Sequence, residues 1–341
     1  MNCKIKIESE EINIDEILKK EKQNLLDFSE VKGQELTKRA LEIAAAGGHN
    51  CLMIGTPGSG KTMLSRRMPT ILPNLTFEEA LEITKIHSIA GILKEACLVS
   101  ERPFRSPHHT ISEIGLIGGG RIPKPGEISL AHLGILFLDE LLEFNKNTLE
   151  VLRGPMEDRV VNISRAGINV SYPCNFMMVA SMNPCPCGYY GSKIKECICT
   201  QSQRERYKAK LSGPMLDRFD IHIQVYPVNY EEMGNRVYES SREIQKRVNK
   251  AKEMQVKRYK EYLIYSNAEL TPRLIEKFCK LDKRTEDILN NSFKALNLSA
   301  RAYYKILKVA RTIADLEEKE NIEEDHILEA IQYRSLDKDK R

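Results

Sequence analysis

Gly55-Thr56-Pro57-Gly58-Ser59-Gly60-Lys61-Thr62 sets glycines, a lysine and a hydroxyl residue at the spacing G-x-x-x-x-G-K-[ST]. Glycines at those places let main-chain N–H groups turn inward around phosphate oxygens. A helix starting behind them points its positive end at the same spot. Lys61 is then placed to reach the β- and γ-phosphates, and Thr62 to ligate Mg2+. The apolar run Cys51–Ile54 ahead of the motif reads as a buried strand and the segment from Lys61 as a helix. Both are what the chemistry requires of its supports.

A second set of groups belongs with the first. Ile135–Leu138 is an apolar strand that ends in Asp139-Glu140. Asp139 suits an outer-sphere Mg2+ role, and Glu140 suits the base that polarises an attacking water. Phe176–Ala180 leads to Ser181-Met182-Asn183-Pro184. A polar residue at the carboxyl end of a neighbouring strand faces the same crevice, so Asn183 is a candidate to hold that water or touch the γ-phosphate. Asn-Pro is also an ordinary turn former, which leaves a purely structural reading open.

These groups need a scaffold. Helical periodicity over Val31–Gly48, with Leu36, Ala40, Ile43 and Ala44 on one face, stops at Gly47-Gly48. Ile221–Val225 reads as a further strand, and Thr148–Met156 as one of the intervening helices. Short apolar strands alternating with helices imply an α/β fold: an open, mostly parallel sheet flanked by helices. Beyond about residue 229 strand signals fade, and helical patterns run through Tyr259, Arg273–Leu281, Thr285–Leu296, Arg301–Glu318 and Glu323–Tyr333. Ile306, Val309, Ala310, Ile313 and Ala314 recur at helix-face spacing. The expected division is a leader over 1–24, a P-loop domain over 25–228, and a small all-helical lid over 229–341.

Val160–Val170 alternates around Arg165-Ala166-Gly167 and reads as a hairpin, with Gly167 free to take positive φ. The adjacent His108-His109 pair has no further ligand at useful spacing, so hydrogen-bonding or DNA-facing roles suit it better than a metal. Cys185, Cys187, Cys197 and Cys199 form C-x-C…C-x-C in a short loop. Such a set closes a tetrahedral structural Zn2+ site or remains four free thiols; spacing alone leaves both open. Cys3, Cys51, Cys97, Cys174 and Cys279 read as ordinary cysteines, with Cys51 in the core.

Composition bounds the rest. The chain has 341 residues, 41% hydrophobic and 29% charged, with a net charge of +4. This excludes a histone-like polycation and permits a local basic groove for nucleic acid. With no apolar run of membrane-spanning length and no signal-peptide pattern, the expected compartment is the cytoplasm.

The order of P-loop, Leu136-Phe137-Leu138-Asp139-Glu140, Ala180-Ser181-Met182-Asn183-Pro184 and Leu216-Asp217-Arg218-Phe219-Asp220 resembles the AAA+ ATPases. The stretches RPFRSPHHT, GGGRIPKPGEISLAHLGILFLDEL and SARAYYKILKVARTIADLE are similar to the magnesium-chelatase-like branch that includes the ComM and YifB proteins. That resemblance implies ATP and Mg2+ as cofactor set, a homo-oligomeric ring (a hexamer), and Arg218 as the arginine finger given to a neighbouring subunit. It also implies Arg301 as the sensor-2 arginine, acting on its own or a neighbour's nucleotide. By similarity to the pre-sensor-1 hairpin of replicative MCM helicases, Arg165 would lie in a central pore. Arg121 and Lys124 join it there as candidate contacts to the phosphates of single- or double-stranded DNA.

Relatives of the ComM type carry an N-terminal domain resembling the Lon protease domain, and the chain is expected to lack it. The leading expectation is a DNA-dependent ATPase of helicase or branch-migration type in recombination or transformation. The alternatives are a magnesium-chelatase-type ATPase subunit that drives metal insertion with partner subunits, and an ATP-controlled oligomeric scaffold.

Overall fold

A computed structural model describes residues 26–93, 98–165, 167–192, 195–228, 238–262, 264–296, 298–334 and 336. The expected leader 1–24, the boundary at 229, Ala166, Cys3 and Cys97 lie outside those residues.

The strands, in chain order, are β1 (Cys51–Gly55), β2 (Phe104–Arg105), β3 (Gly118–Gly119), β4 (Lys124–Pro125), β5 (Ile135–Leu138), β6 (Val160–Arg165), β7 (Ile168–Pro173), β8 (Met177–Met182) and β9 (Ile221–Val225). β2, β5, β8, β1 and β9 form one parallel sheet in that order, while β3–β4 and β6–β7 are separate antiparallel hairpins. The longer helices are α1 (Glu35–Gly47), α2 (Lys61–Arg67), α3 (Phe77–Ala90), α4 (Gln201–Lys208), α5 (Ser241–Arg258), α6 (Pro272–Phe278), α7 (Lys283–Leu296), α8 (Ala300–Leu316) and α9 (Glu324–Gln332).

The central strands are apolar on both faces because each face meets its own core. Cys51 and Met53, Ile135 and Phe137, and Met177 and Val179 join one cluster; Leu52 and Ile54, Leu136 and Leu138, and Met178 and Ala180 join the other. That is period-two alternation feeding two layers. Each fully buried Leu or Ile contributes roughly 1.5–3 kcal/mol. The first cluster continues without a break into α1, α5, α8 and α9, so the C-terminal helices share one core with the sheet. Asp315 of α8, fully buried, ties them together by accepting from Arg258 at 2.9 and 2.5 Å and from Arg311 at 3.2 Å.

Several expected boundaries shift. The helix expected from Val31 begins at Glu35, because Gly33 and Gln34 both take positive φ (62° and 61°) and break the pattern. Leu36, expected on the buried face, is 78% exposed in the first turn. Thr148–Met156 is two short helices, Lys146–Glu150 and Arg153–Asp158, rather than one. β8 runs on through Ser181 and Met182. No helix among the described residues is long and apolar enough to cross a membrane.

Candidate active site

All five strands of the main sheet are parallel, so the loops after β1, β5 and β8 emerge on one edge. β1 leads into the phosphate-loop motif, and Gly60, at φ 92°, caps α2 without the steric cost a side chain would carry. Lys61 is nearly buried, and its Nζ donates to the carbonyls of Gly55 (2.7 Å) and Thr56 (2.9 Å) and to Asn183 Oδ1 (3.4 Å). Burial pulls its ammonium below the usual lysine range, partly offset by Asp139 and Glu140 nearby. An anion arriving here meets a desolvated cation already aimed by the backbone.

Thr62 Oγ1 donates to Asp139 Oδ2 at 2.7 Å. The other carboxylate oxygen accepts from the Ser181 hydroxyl, and the Glu140 N–H reaches both it (3.1 Å) and Ser181 Oγ (3.3 Å). A hydroxyl and a carboxylate held in contact are the donor set a Mg2+ with phosphate partners uses, so these residues fit that ion. Glu140 itself sits in the left-handed region at φ 52°, ψ 51°, exposed to solvent. A non-glycine residue there stores on the order of 1 kcal/mol, and the Glu140 charge lies close enough to Lys61 to act on its ammonium.

Asn183, one residue past β8, therefore stands with Lys61, Thr62, Asp139 and Glu140 on the same edge. Ser181 carries no signal of its own in the sequence, though β8 register opposite Met53 of β1 buries it beside Asp139. Gln34 is a second residue that sequence reasoning misses: its side-chain amide donates to Ser59 O (3.4 Å) and to the carbonyl of Tyr226. A cavity of about 510 Å3 opens between Gly55, Thr56, Pro184, Tyr190 and Tyr226.

Arg218 lies at the other end of the sheet. Asn50, just before β1, donates through its side chain to Arg218 O at 3.0 Å, and Asp220 N–H donates to Asn50 O at 2.9 Å. Since β9 runs parallel to β1, the residue before β9 is a full strand length from the phosphate loop. The Arg218 guanidinium contacts Glu157; burial lowers its pKa, and Arg153 and Arg301 push in the same direction. Arg301, at the start of α8, pairs with Asp217 at 2.8 Å, on this same far edge. A cavity of about 280 Å3 there is bordered by Arg159, Arg218, Lys305 and Lys308.

The expected hairpin is β6–β7, with Arg165 opposite Ile168 and Gly167 at φ 80° in the turn. Arg121 and Lys124 sit in the β3–β4 hairpin, both exposed. The two hairpins interlock: Tyr172 Oη donates to Pro123 O at 2.9 Å, and Gly118 packs on Ile163 so closely that a Cβ would come within 2.9 Å of it. The rings of His108 and His109 lie 4.1 Å apart, and His108 Nδ1 is 2.9 Å from Thr110 Oγ1.

Cys185, Cys187, Cys197 and Cys199 gather with their sulfurs all within 4.8 Å of one another and with no disulfide between them. Hydrogen bonds from nearby main-chain N–H groups, that of Tyr189 first, pull the Cys187 thiol down to about 6. Cys51 and Cys279 are buried, and burial pushes the Cys174 thiol up to about 12, as expected of inert core cysteines.

Comparison with known proteins agrees with this geometry. Residues 27–233 match the family described as magnesium chelatase, subunit ChlI, and residues 238–334 match its C-terminal region. YifB of Salmonella typhimurium is 46% identical over 314 residues, covering 92% of this chain and 61% of that protein. Competence protein ComM of Haemophilus influenzae is 43% identical over 317 residues, with the same coverages. The magnesium-chelatase 67 kDa subunit of Chlorobaculum parvum is 29% identical over 166 residues, 47% of this chain and 24% of that subunit. The chain thus spans about three fifths of the length of its ComM and YifB relatives. A parallel sheet carrying the phosphate loop and the Asp139-Glu140 edge, matched over both family regions, makes this chain a member of the magnesium-chelatase-like AAA+ ATPases, in their ComM/YifB branch.

Proposed function

We propose that the chain is the motor module of a homo-oligomeric ring, a hexamer, that hydrolyses ATP and couples it to movement on DNA in a helicase or branch-migration reaction. The observation that carries this reading is the separation of Lys61, Asp139 and Glu140 from Arg218 by the length of β1. One subunit then offers its nucleotide edge to the arginine edge of the next. The resulting head-to-tail interface repeats around a ring.

Held by Thr62 and Asp139, Mg2+ would supply charge neutralisation to the phosphates when bound. Every other part belongs to the chain. Lys61 moves its ammonium from two main-chain carbonyls to phosphate oxygens, and Thr62 with Asp139 holds the ion. Glu140 takes a proton from the attacking water, which Asn183 orients. Arg218 of a neighbour spreads the charge that develops on the transferred phosphoryl group, and Arg301 on the same edge reinforces it in trans. The helices from α5 onward, sharing the sheet's core, transmit the change. The interlocked hairpins carry Arg121, Lys124 and Arg165 against the sugar-phosphate backbone. The cofactors in this reading are ATP with Mg2+, and one structural Zn2+ in the four-thiol loop.

Similarity over 47% of the chain to a magnesium-chelatase subunit supports a second reading, an ATPase subunit that drives metal insertion with partner subunits. DNA discriminates between the two. The ATPase rate measured with and without single-stranded DNA, at low and moderate salt, is expected to rise on DNA and lose the stimulation as salt increases. Glu140→Gln is expected to bind ATP and lose at least about 100-fold in turnover. A rate indifferent to DNA refutes the translocase reading. Turnover by Glu140→Gln equal to wild type refutes the assignment of the base, whereas ATP binding without turnover by the wild-type protein favours a scaffold.

A further inference from the structure

The loop between Asn183 and α4 brings four thiols to one point. Sulfur–sulfur separations are 3.4 Å (Cys185–Cys187), 3.7 Å (Cys185–Cys197) and 3.6 Å (Cys187–Cys197). Four sulfurs around a zinc at ~2.3 Å would stand about 3.8 Å apart along each tetrahedral edge. Three of the sulfurs are therefore spaced close to such an edge, and Cys199 Sγ lies within 4.8 Å of them. Main-chain N–H groups point at the cluster: Tyr190 donates to Cys185 Sγ at 3.3 Å and Cys187 to Cys199 Sγ at 3.4 Å. Arg204 holds the far side, donating to Cys199 O at 2.7 Å with its guanidinium over the Tyr190 ring. Such outer contacts orient ligands and offset the charge of a four-thiolate centre.

The same loop touches the catalytic edge at two places. Asn183, which contacts Lys61, lies two residues before the first cysteine. Gly188, between the two cysteine pairs, takes φ 84° and lies flat against the phosphate loop. A Cβ there would come within 2.7 Å of Pro57 Cδ and 2.8 Å of Pro57 Cγ, and within 3.9 Å of Asn183 Cγ. We propose that Cys185, Cys187, Cys197 and Cys199 bind one Zn2+, and that the filled site is a brace that sets Asn183 and Pro57 for ATP turnover. Binding releases the thiol protons to solvent and leaves no position on the metal for water, so the ion is structural and takes no part in the chemistry. Asn183 then owes its place beside Lys61 to a cross-link that closes the loop behind it. The metal site stands without the ATPase reading, whereas the brace rests on it.

The test uses the full chain purified without chelator. Elemental analysis is expected to find one zinc per chain, and the double variant Cys187→Ser/Cys197→Ser to have lost it. At saturating Mg·ATP that variant should turn over about 10-fold more slowly or worse, with a smaller change in nucleotide affinity. Gly188→Ala keeps all four thiols and is expected to hold its zinc while losing about 10-fold in turnover, since a Cβ there both strains the φ 84° backbone and displaces Pro57. It carries the test if the serine variant does not fold. Wild-type protein with under about a tenth of a zinc per chain overturns the metal site. Full turnover by the zinc-free variant, or by Gly188→Ala, overturns the brace. Wild-type protein that holds one zinc and hydrolyses no ATP overturns the hydrolase reading and the brace together, and supports the metal site.

Discussion

If Arg218 completes a neighbour's site, its loss should be curable by a second defective subunit. Five residues of β1 at ~3.3 Å each put roughly 17 Å between the Asn50 edge and the phosphate loop. An arginine side chain reaches roughly 7 Å from its Cα, so no rotamer brings this guanidinium to its own nucleotide. Arg218→Ala should then lower turnover by about 1,000-fold or more while leaving ATP affinity nearly unchanged. Glu140→Gln should be inactive for a different reason, yet it keeps its arginine. In a random 1:1 mixture, half the sites sit on an Arg218→Ala subunit with an intact Glu140. Half of those face a Glu140→Gln neighbour with an intact arginine, so about one quarter of wild-type turnover should return. The assay is steady-state phosphate release across mixing ratios, with mixed assembly verified by native mass spectrometry. A mixture no more active than either variant alone, in verified mixed rings, refutes the trans role.

Two further outcomes follow from buried polar groups. Ser181→Ala removes a hydroxyl that donates to the Asp139 carboxylate. A hydrogen bond to a charged group contributes about 1.5–3 kcal/mol, so half-saturation by Mg2+ in the ATPase assay should rise by about 10- to 100-fold; an unchanged Mg2+ dependence refutes that support. Burial of Asp220 would raise its pKa, but Lys305 (3.1 Å) and His49 (3.6 Å) outweigh it and hold the carboxyl well below the usual range. A depressed folded value stabilises the native state above the unfolded pKa of ~3.9 and loses that contribution as pH falls through the folded one. Asp220→Asn should therefore cost about 3–5 kcal/mol at pH 7 by urea unfolding, and the gap to wild type should narrow below about pH 4. A gap that widens in acid contradicts the assignment.

The strands are legible in the sequence because they are buried on both faces, and a continuous apolar run such as Ile135–Leu138 is what a strand with two covered faces requires. Polar residues at the strand ends are harder. The apolar run of β8 stops at Ala180, where Ser181 interrupts it, yet register places that serine in the core with its hydroxyl satisfied by Asp139. Position in a sheet, which no local pattern encodes, decides its role. Gln34 is silent in the sequence for a similar reason: its amide meets Ser59 and Tyr226, the latter 192 residues away. The contact of Gly188 with Pro57 depends on a long-range approach of two loops, and the shared core of α1, α5 and α8 depends on which helix faces pair. Helical periodicity announces an apolar face without naming what covers it.

Lys61 offers a last consequence. Its ammonium is held by two main-chain carbonyls of the loop it serves, so the loop keeps its shape by bonding to itself. In the proposed reaction, entry of a triphosphate is an exchange of partners rather than the capture of a free cation. Each charged hydrogen bond surrendered is worth about 1.5–3 kcal/mol, and the same bonds re-form when the phosphates depart. The cradle thereby competes with its own guest. In the proposed cycle that competition would lower affinity, shorten the residence of spent nucleotide, and restore the loop's own bonds for the next turn.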